Sequence, residues 1–381
     1  MSEPVRLGLV GLGSVSQRGI LPHLTQSDLA PVAQLTAVCD VDAGRARATA
    51  EKFGVPHWYS DYEEMLAKAP IDAVVIATPI GLHFEQAMAA IQAGKHVHLN
   101  KTMTTTLEEA NRLIAAARAA GRKLVASPGQ LFRPTFRLMR RIVQEGRLGK
   151  VFFAAVGRSW AGHEFESFRE GDDVLSNINP AWYYKKGGGP MYDMGVYALH
   201  EITTVLGPVK RVTGMSGIAV PRRYFKGEPI DVEMDDNTLL TLDFGDNTFA
   251  YVYATNSRGL PLPGMAICGF EGTLTAQRRA VVLNGKEIPV EGEMPYQWAR
   301  HSELPEAHVY SDIMHLVDCI LTDREPLVSG EQARHVVEII EGGYKAAQTG
   351  QTYVMTTSFE MPADVDEWGP IKQPDRREAA S

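Results

Sequence analysis

Between Val5 and about Ser127 the chain alternates short apolar runs with amphipathic stretches. The runs are residues 7–10, 35–39, 73–77, 96–99 and 123–126. Runs this short and apolar, separated by helical patterns, predict a parallel sheet with helices over both faces. After Ser127-Pro128-Gly129 the period changes. Residues 134–145 carry a helical pattern, and longer alternating strands are predicted at 151–160, 209–216, 238–244, 248–256 and 266–270. Gly245-Asp246-Asn247 between two of them is a hairpin signal. Helical periodicity returns over 309–321 and 330–349, and the polar stretch from Met361 to Ser381 reads as a loose tail.

The predicted class is α/β, with a doubly wound domain over 1–127, an α+β domain with a largely antiparallel open sheet over 128–360, and the tail over 361–381. A chain of 381 residues exceeds what one hydrophobic core usually spans, which agrees with two domains. An open sheet with helices on one face needs a partner for the other if that face is apolar, so a homodimer or homotetramer is expected.

Charge and composition narrow the function classes. With 38 basic against 46 acidic residues the formal net charge is -8, and no basic stripe with interleaved aromatics appears, so nucleic acid is not an expected partner. No apolar run reaches membrane-spanning length and no apolar leader opens the chain, so a cytoplasmic protein without membrane contact is expected. Cys39, Cys268 and Cys319 lie far apart, unlike zinc ribbons or redox dithiols, and are expected as buried thiols. The 11 histidines form no ligand pattern, so no metal is expected.

The first strand ends in Gly11-Leu12-Gly13-Ser14-Val15-Ser16, a G-x-G-x-x-S turn. Gly11 permits the tight turn, Gly13 lets backbone approach a pyrophosphate, and a small third residue lets helix pack on strand. The next run ends in Asp40, where a carboxylate would accept hydrogen bonds from an adenosine ribose; the bland alternative is a cap for the helix near Asp42. A Rossmann domain binding NAD is therefore expected. NADP stays open because Arg45 and Arg47 follow closely.

Two further segments resemble a known family. Ala77-Thr78-Pro79-Ile80-Gly81-Leu82-His83 and Ala93-Gly94-Lys95-His96-Val97-His98-Leu99-Asn100-Lys101-Thr102 are similar to the T-P-x-x-x-H and A-G-K-H-V-x-x-E-K-P signatures of the glucose-fructose oxidoreductase, inositol dehydrogenase and rhizopine-catabolism (Gfo/Idh/MocA) family. The run from Gly187 to Tyr197 resembles its G-G-G-x-x-x-D-x-G-x-H segment. The resemblance implies a nicotinamide-dependent oxidoreductase that moves hydride to or from a sugar, sugar derivative or cyclitol. It also implies that Lys101 is the catalytic lysine, that Asp193 orients substrate, and that Tyr197 stands where many members place a base histidine. Cofactor contacts are expected from Gly11, Leu12, Gly13, Ser14, Val15 and Asp40, and from Thr78, Pro79, His83, Asn100 and Lys101. Asn100 and Thr102 replace the family's Glu and Pro. Without that proline a cis peptide after Lys101 costs about 2.5–4 kcal/mol, so a trans bond is expected.

Oxidising an alcohol requires a proton acceptor while the nicotinamide takes hydride. Asp193, Tyr197 and His200 stand at i, i+4 and i+7, within one sector of a helix, although such a trio is also common in ordinary cores. Two proton carriers follow: Tyr197, its pKa lowered by the Lys101 charge, or His200. Arg158 and Trp160 end a strand facing the same region, and the following loop offers His163, Trp182 and Tyr184 for a carbohydrate ring, or alternatively for packing or a subunit contact. Two rival functions are an NAD-dependent glycoside hydrolase and a non-catalytic sugar or nucleotide sensor.

Overall fold

The computed structural model describes residues 3–258, 264–277 and 280–372. The first sheet contains β1 (Val5–Val10), β2 (Ala33–Cys39), β3 (His57–Tyr59), β4 (Ala73–Ile76), β5 (His96–Leu99) and β6 (Leu124–Ala126). All are parallel and ordered β3-β2-β1-β4-β5-β6, so the connections change direction between β1 and β4, where the strand ends open a crevice. The helices are α1 (Leu21–Leu24), α2 (Ala43–Phe53), α3 (Tyr62–Lys68), α4 (His83–Gln92) and α5 (Leu107–Ala119). Side-chain caps start three of them, Asp42 for α2, Asp61 for α3 and Thr106 with Glu109 for α5, each accepting from an otherwise orphan backbone N–H. The edge strand β3 was not predicted, because three mostly exposed residues carry no periodicity.

After α6 (Pro134–Gln144), the second sheet is built from β7 (Val151–Ser159), β8 (Arg211–Gly217), β11 (Asn237–Gly245), β12 (Thr248–Thr255), β13 (Ala266–Gly269), β14 (Gly272–Gln277), β15 (Ala280–Leu283), β16 (Lys286–Ile288) and β17 (Tyr353–Val354), with β9 (Arg222–Phe225) and β10 (Glu228–Asp231) as a separate hairpin. Its order is β16-β15-β14-β13-β7-β12-β11-β8-β17, antiparallel except where β7 lies parallel to β12. The Asp246 and Asn247 turn has positive φ at both residues, the mirror-image geometry a tight hairpin needs. Helices α6, α7 (Val196–Leu206) and α9 (Gly330–Thr349) cover one face. The opposite face is apolar and open: Phe153 pairs with Phe249, and Met215 with Leu239, all four exposed.

Two expectations about the C-terminal part need correction. Helix α8 (Ala307–Thr322) joins the core of the first sheet, packing Val309, Ile313, Leu316 and Val317 beside Leu7, Leu9 and Val125. The described part of the tail, to residue 372, is docked rather than loose: α10 (Val365–Trp368) buries Val365 in that same core, and Arg324 stacks 3.7 Å over the Trp368 ring. Sequence polarity missed this because two apolar residues suffice as anchors. Residues 373–381 lie outside the described residues. Among the described residues no helix is long and apolar enough to cross a membrane.

Candidate active site

A cleft of about 870 Å³ follows the crevice of the first sheet and is walled on its far side by residues of the second half of the chain. Its volume is in the range that holds cofactor-sized ligands.

At one end lies the glycine turn. Gly11 has φ +86°, and a Cβ there would stand 2.7 Å from the Ala77 carbonyl and the Thr78 nitrogen, so only glycine fits. Among the described residues nothing lies within 4 Å of the corresponding position on Gly13, which leaves its backbone open to a ligand. Ser16 fills the third motif position by donating from Oγ to the Gly11 carbonyl at 2.5 Å. Ser14 and Val15 open the helical turn and line the cleft. Asp40 takes hydrogen bonds from the Leu12 and Asp42 N–H groups at 2.9 and 3.0 Å, and Arg45 at 3.2 Å. It is therefore no helix cap; Asp42 is. Arg47 pairs with Glu51 on the surface. An open glycine turn at a helix start, with a carboxylate at the next strand end, fits a dinucleotide.

Thr78, Pro79 and Asn100 line the cleft. Leu12 contributes only its N–H, its side chain being buried. His83 is also off the cleft wall: it is fully buried beneath it, its ring nitrogens 2.8 and 2.9 Å from the carbonyls of Thr102 and Thr78. Burial pushes its pKa down. The expected direct contact becomes a support for two cleft loops.

The other end centres on Lys101. Its backbone N–H donates to Asn100 Oδ1 at 2.8 Å, a role open to asparagine in place of the family's glutamate. The Lys101–Thr102 peptide is cis, correcting the trans expectation. Thr102 is held there by tertiary hydrogen bonds, its hydroxyl donating to the Tyr192 carbonyl at 2.5 Å and its carbonyl facing His83. Lys101 Nζ donates to the Asp193 carbonyl at 2.6 Å and pairs with its Oδ1. The other carboxylate oxygen of Asp193 lies 2.5 Å from His163 Nε2. Glu166 Oε2 is 3.0 Å from His163 Nδ1 as an ion-pair contact, and Arg169 Nε donates to that same Oε2 at 2.5 Å. Burial resists an ionised Asp193, but Lys101 and His163 hold its carboxyl well below the usual range. Burial likewise resists a charged His163, and here too the partners win, Asp193 and Glu166 raising its pKa.

Tyr197 departs from expectation. Lys101 Nζ sits 5.2 Å over its ring, while its hydroxyl faces His308 Nε2 at 3.4 Å. Burial, with Glu306, Asp193 and Asp312 acting the same way, pushes the phenol up instead of down. His200 does not line the cleft; burial inside α7 pushes it down to about 3. The helical-sector prediction fails because residues 191–195 form a wider π-helical turn and α7 is buried nearly all round, so angular position there does not mark a cleft. Glu201 lines the wall instead, paired with Arg158.

Trp160, His163 and Trp182 line the cleft. His163, Tyr183 and Trp182 stack in a column with 3.7 Å between successive ring centroids. Tyr184 is buried behind it, its hydroxyl accepting the His163 N–H at 2.9 Å and donating to Glu164. Glu166, Arg169, Arg133 and His308 were not anticipated. One signal existed: His163, Glu166 and Arg169 recur every three residues, the period of the two short 3₁₀ turns that hold His163 and Arg169 and that Glu166 joins.

Residues 5–127 match a family model described as "Oxidoreductase family, NAD-binding Rossmann fold", and residues 136–275 match the GFO/IDH/MocA C-terminal domain. "D-glucoside 3-dehydrogenase" of Escherichia coli is 24% identical over 92% of this chain and 97% of its own length. "Uncharacterized oxidoreductase ORF334" of Rhizobium meliloti is 32% identical over 51% of this chain, and the match spans 54% of that relative. The crystal structure of the WlbA dehydrogenase from Bordetella pertussis with NADH and UDP-GlcNAcA superposes with a TM-score of 0.72 over 93% of this chain and 100% of that one, at 22% identity. An NAD-binding Rossmann domain joined to an α+β partner of this family, around one shared cleft, makes the chain a member of the Gfo/Idh/MocA oxidoreductases.

Proposed function

We propose that the protein is an NAD-dependent dehydrogenase or reductase of a secondary alcohol on a sugar or polyol, with Lys101 as the proton-transfer group. The carrying observation is that the Lys101 ammonium lies in the cleft opened by the glycine turn and is gripped by a buried carboxylate. A nicotinamide dinucleotide held on the Gly11–Gly13 turn and Asp40 would supply or accept the hydride. In the reductive direction the Lys101 ammonium donates a proton to the oxygen as the C–H bond forms; in oxidation its neutral amine accepts that proton. Asp193 fixes the lysine, and His163 hydrogen-bonds Asp193 through Nε2 while its Nδ1 stands at ion-pair distance from Glu166. Tyr197 forms the floor under the ammonium, and the Trp182–Tyr183 column offers flat apolar surface to a ring. The WlbA relative, with NADH and a nucleotide sugar together, supports pairing the cofactor with a sugar-type substrate.

Absorbance at 340 nm with purified protein, NAD and a panel of sugars and polyols tests this reading. NADH formation that disappears in Lys101→Met supports it, and full turnover by that variant overturns it. The open face of the second sheet, with Phe153, Met215, Leu239 and Phe249, supports a homo-oligomer. Light scattering giving the 41.8 kDa monomer mass removes that part.

A further inference from the structure

The cations of the cleft are paired, with one exception among the described residues. Arg18 meets Glu306 at 2.6 Å, Arg45 meets Asp40 at 3.2 Å and Arg169 meets Glu166 at 2.5 Å. Arg158 pairs with Glu201, Lys101 with Asp193, and His163 stands between Asp193 and Glu166. Arg133 lines the same cleft half buried, yet its side chain has neither a hydrogen bond nor an ion pair among the described residues. Removing a guanidinium from water without a counter-charge is unfavourable, and a ligand that brings the charge reverses the sign of that effect.

Position decides which ligand. Arg133 sits between the turn Gln130–Phe132 and Pro134 at the start of α6. Its charge is felt by Tyr197, Glu201 and His308, all at the Lys101 end, and by Asp312. A dinucleotide pyrophosphate belongs at the opposite end, on the Gly13 backbone. Beside Arg133, Gln130 also lines the cleft at 2% exposure, and its Oε1 has no hydrogen-bond partner among the described residues. Amide oxygen and nitrogen exchange by a flip, so this carboxamide is an unused donor or acceptor next to an unused fork of donors. His308 adds no charge: burial, reinforced by Arg133 and Lys101, pushes it down to about 3.

Resting on the oxidoreductase reading above, we infer that the substrate carries a carboxylate, gripped at two points by Arg133 with Gln130 alongside. A uronate, an aldonate or a related hydroxy acid fits this site. One unpaired cation balances one negative charge. A phosphate monoester brings about 1.5 to 2 charges and leaves the excess unmatched. The planar guanidinium fork also matches carboxylate geometry directly.

Matched substrate pairs test the inference with the full chain and NAD: D-glucuronate against D-glucose, D-galacturonate against D-galactose, and D-gluconate against D-glucitol, followed at 340 nm. The acid member is expected to have the higher kcat/KM by about 10- to 100-fold. Arg133→Gln should abolish that preference by raising KM for the acid alone, and Arg133→Lys should keep part of it. Calorimetry should show unchanged NAD affinity in both variants, which verifies that they fold. If no member of the panel turns over, D-glucuronate is titrated into the protein–NADH complex, and binding lost in Arg133→Gln supports the proposal. Neutral members used as well as the acids, an acid KM indifferent to Arg133→Gln, or no binding of the acid to the NADH complex each overturn it. Turnover of neutral sugars alone would sink this inference and leave the oxidoreductase reading standing, whereas failure of NAD to bind would sink that reading itself.

Discussion

The two ends of the cleft are built by different means. The nucleotide end is local: Gly11 to Ser16 fold as one turn, its key contacts are backbone groups, and its nearest long-range partner, Asp40, is the end of the adjacent strand. The Lys101 end is assembled from distant parts of the chain, with Lys101 after β5, Arg133 before α6, His163 and Glu166 in a loop, Asp193 in a π-helical turn and His308 in α8. A turn needs particular residue types at fixed spacing. A charged cluster needs only that partners arrive with opposite sign and good geometry, whatever segment supplies them.

The largest effect that separates the two ends is expected from Lys101→Met. It should lower kcat about 10²- to 10⁴-fold, the usual weight of a proton-transfer group, while calorimetry finds NAD bound as before. Lost NAD binding together with lost turnover would erase the distinction between the ends. Gly11→Ala should do the converse, weakening NAD binding, because the added methyl meets the Ala77 carbonyl at 2.7 Å and φ is +86°. Strain of that kind costs about 1–3 kcal/mol. An alanine variant with native NAD affinity would show that the turn is not the nucleotide cradle.

His163→Gln should produce an intermediate loss of kcat and a changed pH response. The raised folded pKa of His163 means that its contribution to stability is full below the unfolded value of about 6.5 and is lost as pH rises through the folded value. The variant should therefore lose part of the alkaline decline in Tm seen in the parent. An identical decline in both would separate His163 from the Asp193 cluster.

The smallest effects on turnover are expected at the two residues that sequence proposed as proton carriers. Tyr197→Phe keeps the ring under Lys101 and should leave kcat close to the parent's; a collapse would restore tyrosine as the carrier. His200→Gln should also spare kcat but change acid stability. Burial lowers the His200 pKa to about 3, so its contribution is present above the unfolded value and is lost as pH falls towards the folded one. A Tm series between neutral and acid pH should be flatter in the variant, and a steeper series would contradict the sign of that shift.

Five of the six parallel strands of the first domain, all but β3, follow from periodicity and turn chemistry, as do the long strands β7, β8, β11 and β12, the hairpin at Asp246 and the glycine turn. Lys101 and Asp193 were found through motif resemblance, and the structure brings them together. Helical-sector reasoning misplaced His200, since it assumed an amphipathic helix where the chain has a buried one.

By itself, the sequence determined what neighbours along the chain decide: where strands and helices run, where the backbone must turn through a conformation open to glycine, and which family the motifs match. Only the tertiary structure decided which charges meet. It gave Asp193 to both Lys101 and His163, turned the Lys101 charge onto the face of Tyr197, docked the tail helix on the first core, and left the Arg133 side chain without a partner among the described residues. Pairing, desolvation and burial depend on distances in space between residues far apart in the chain, and those exist only once the whole chain is folded.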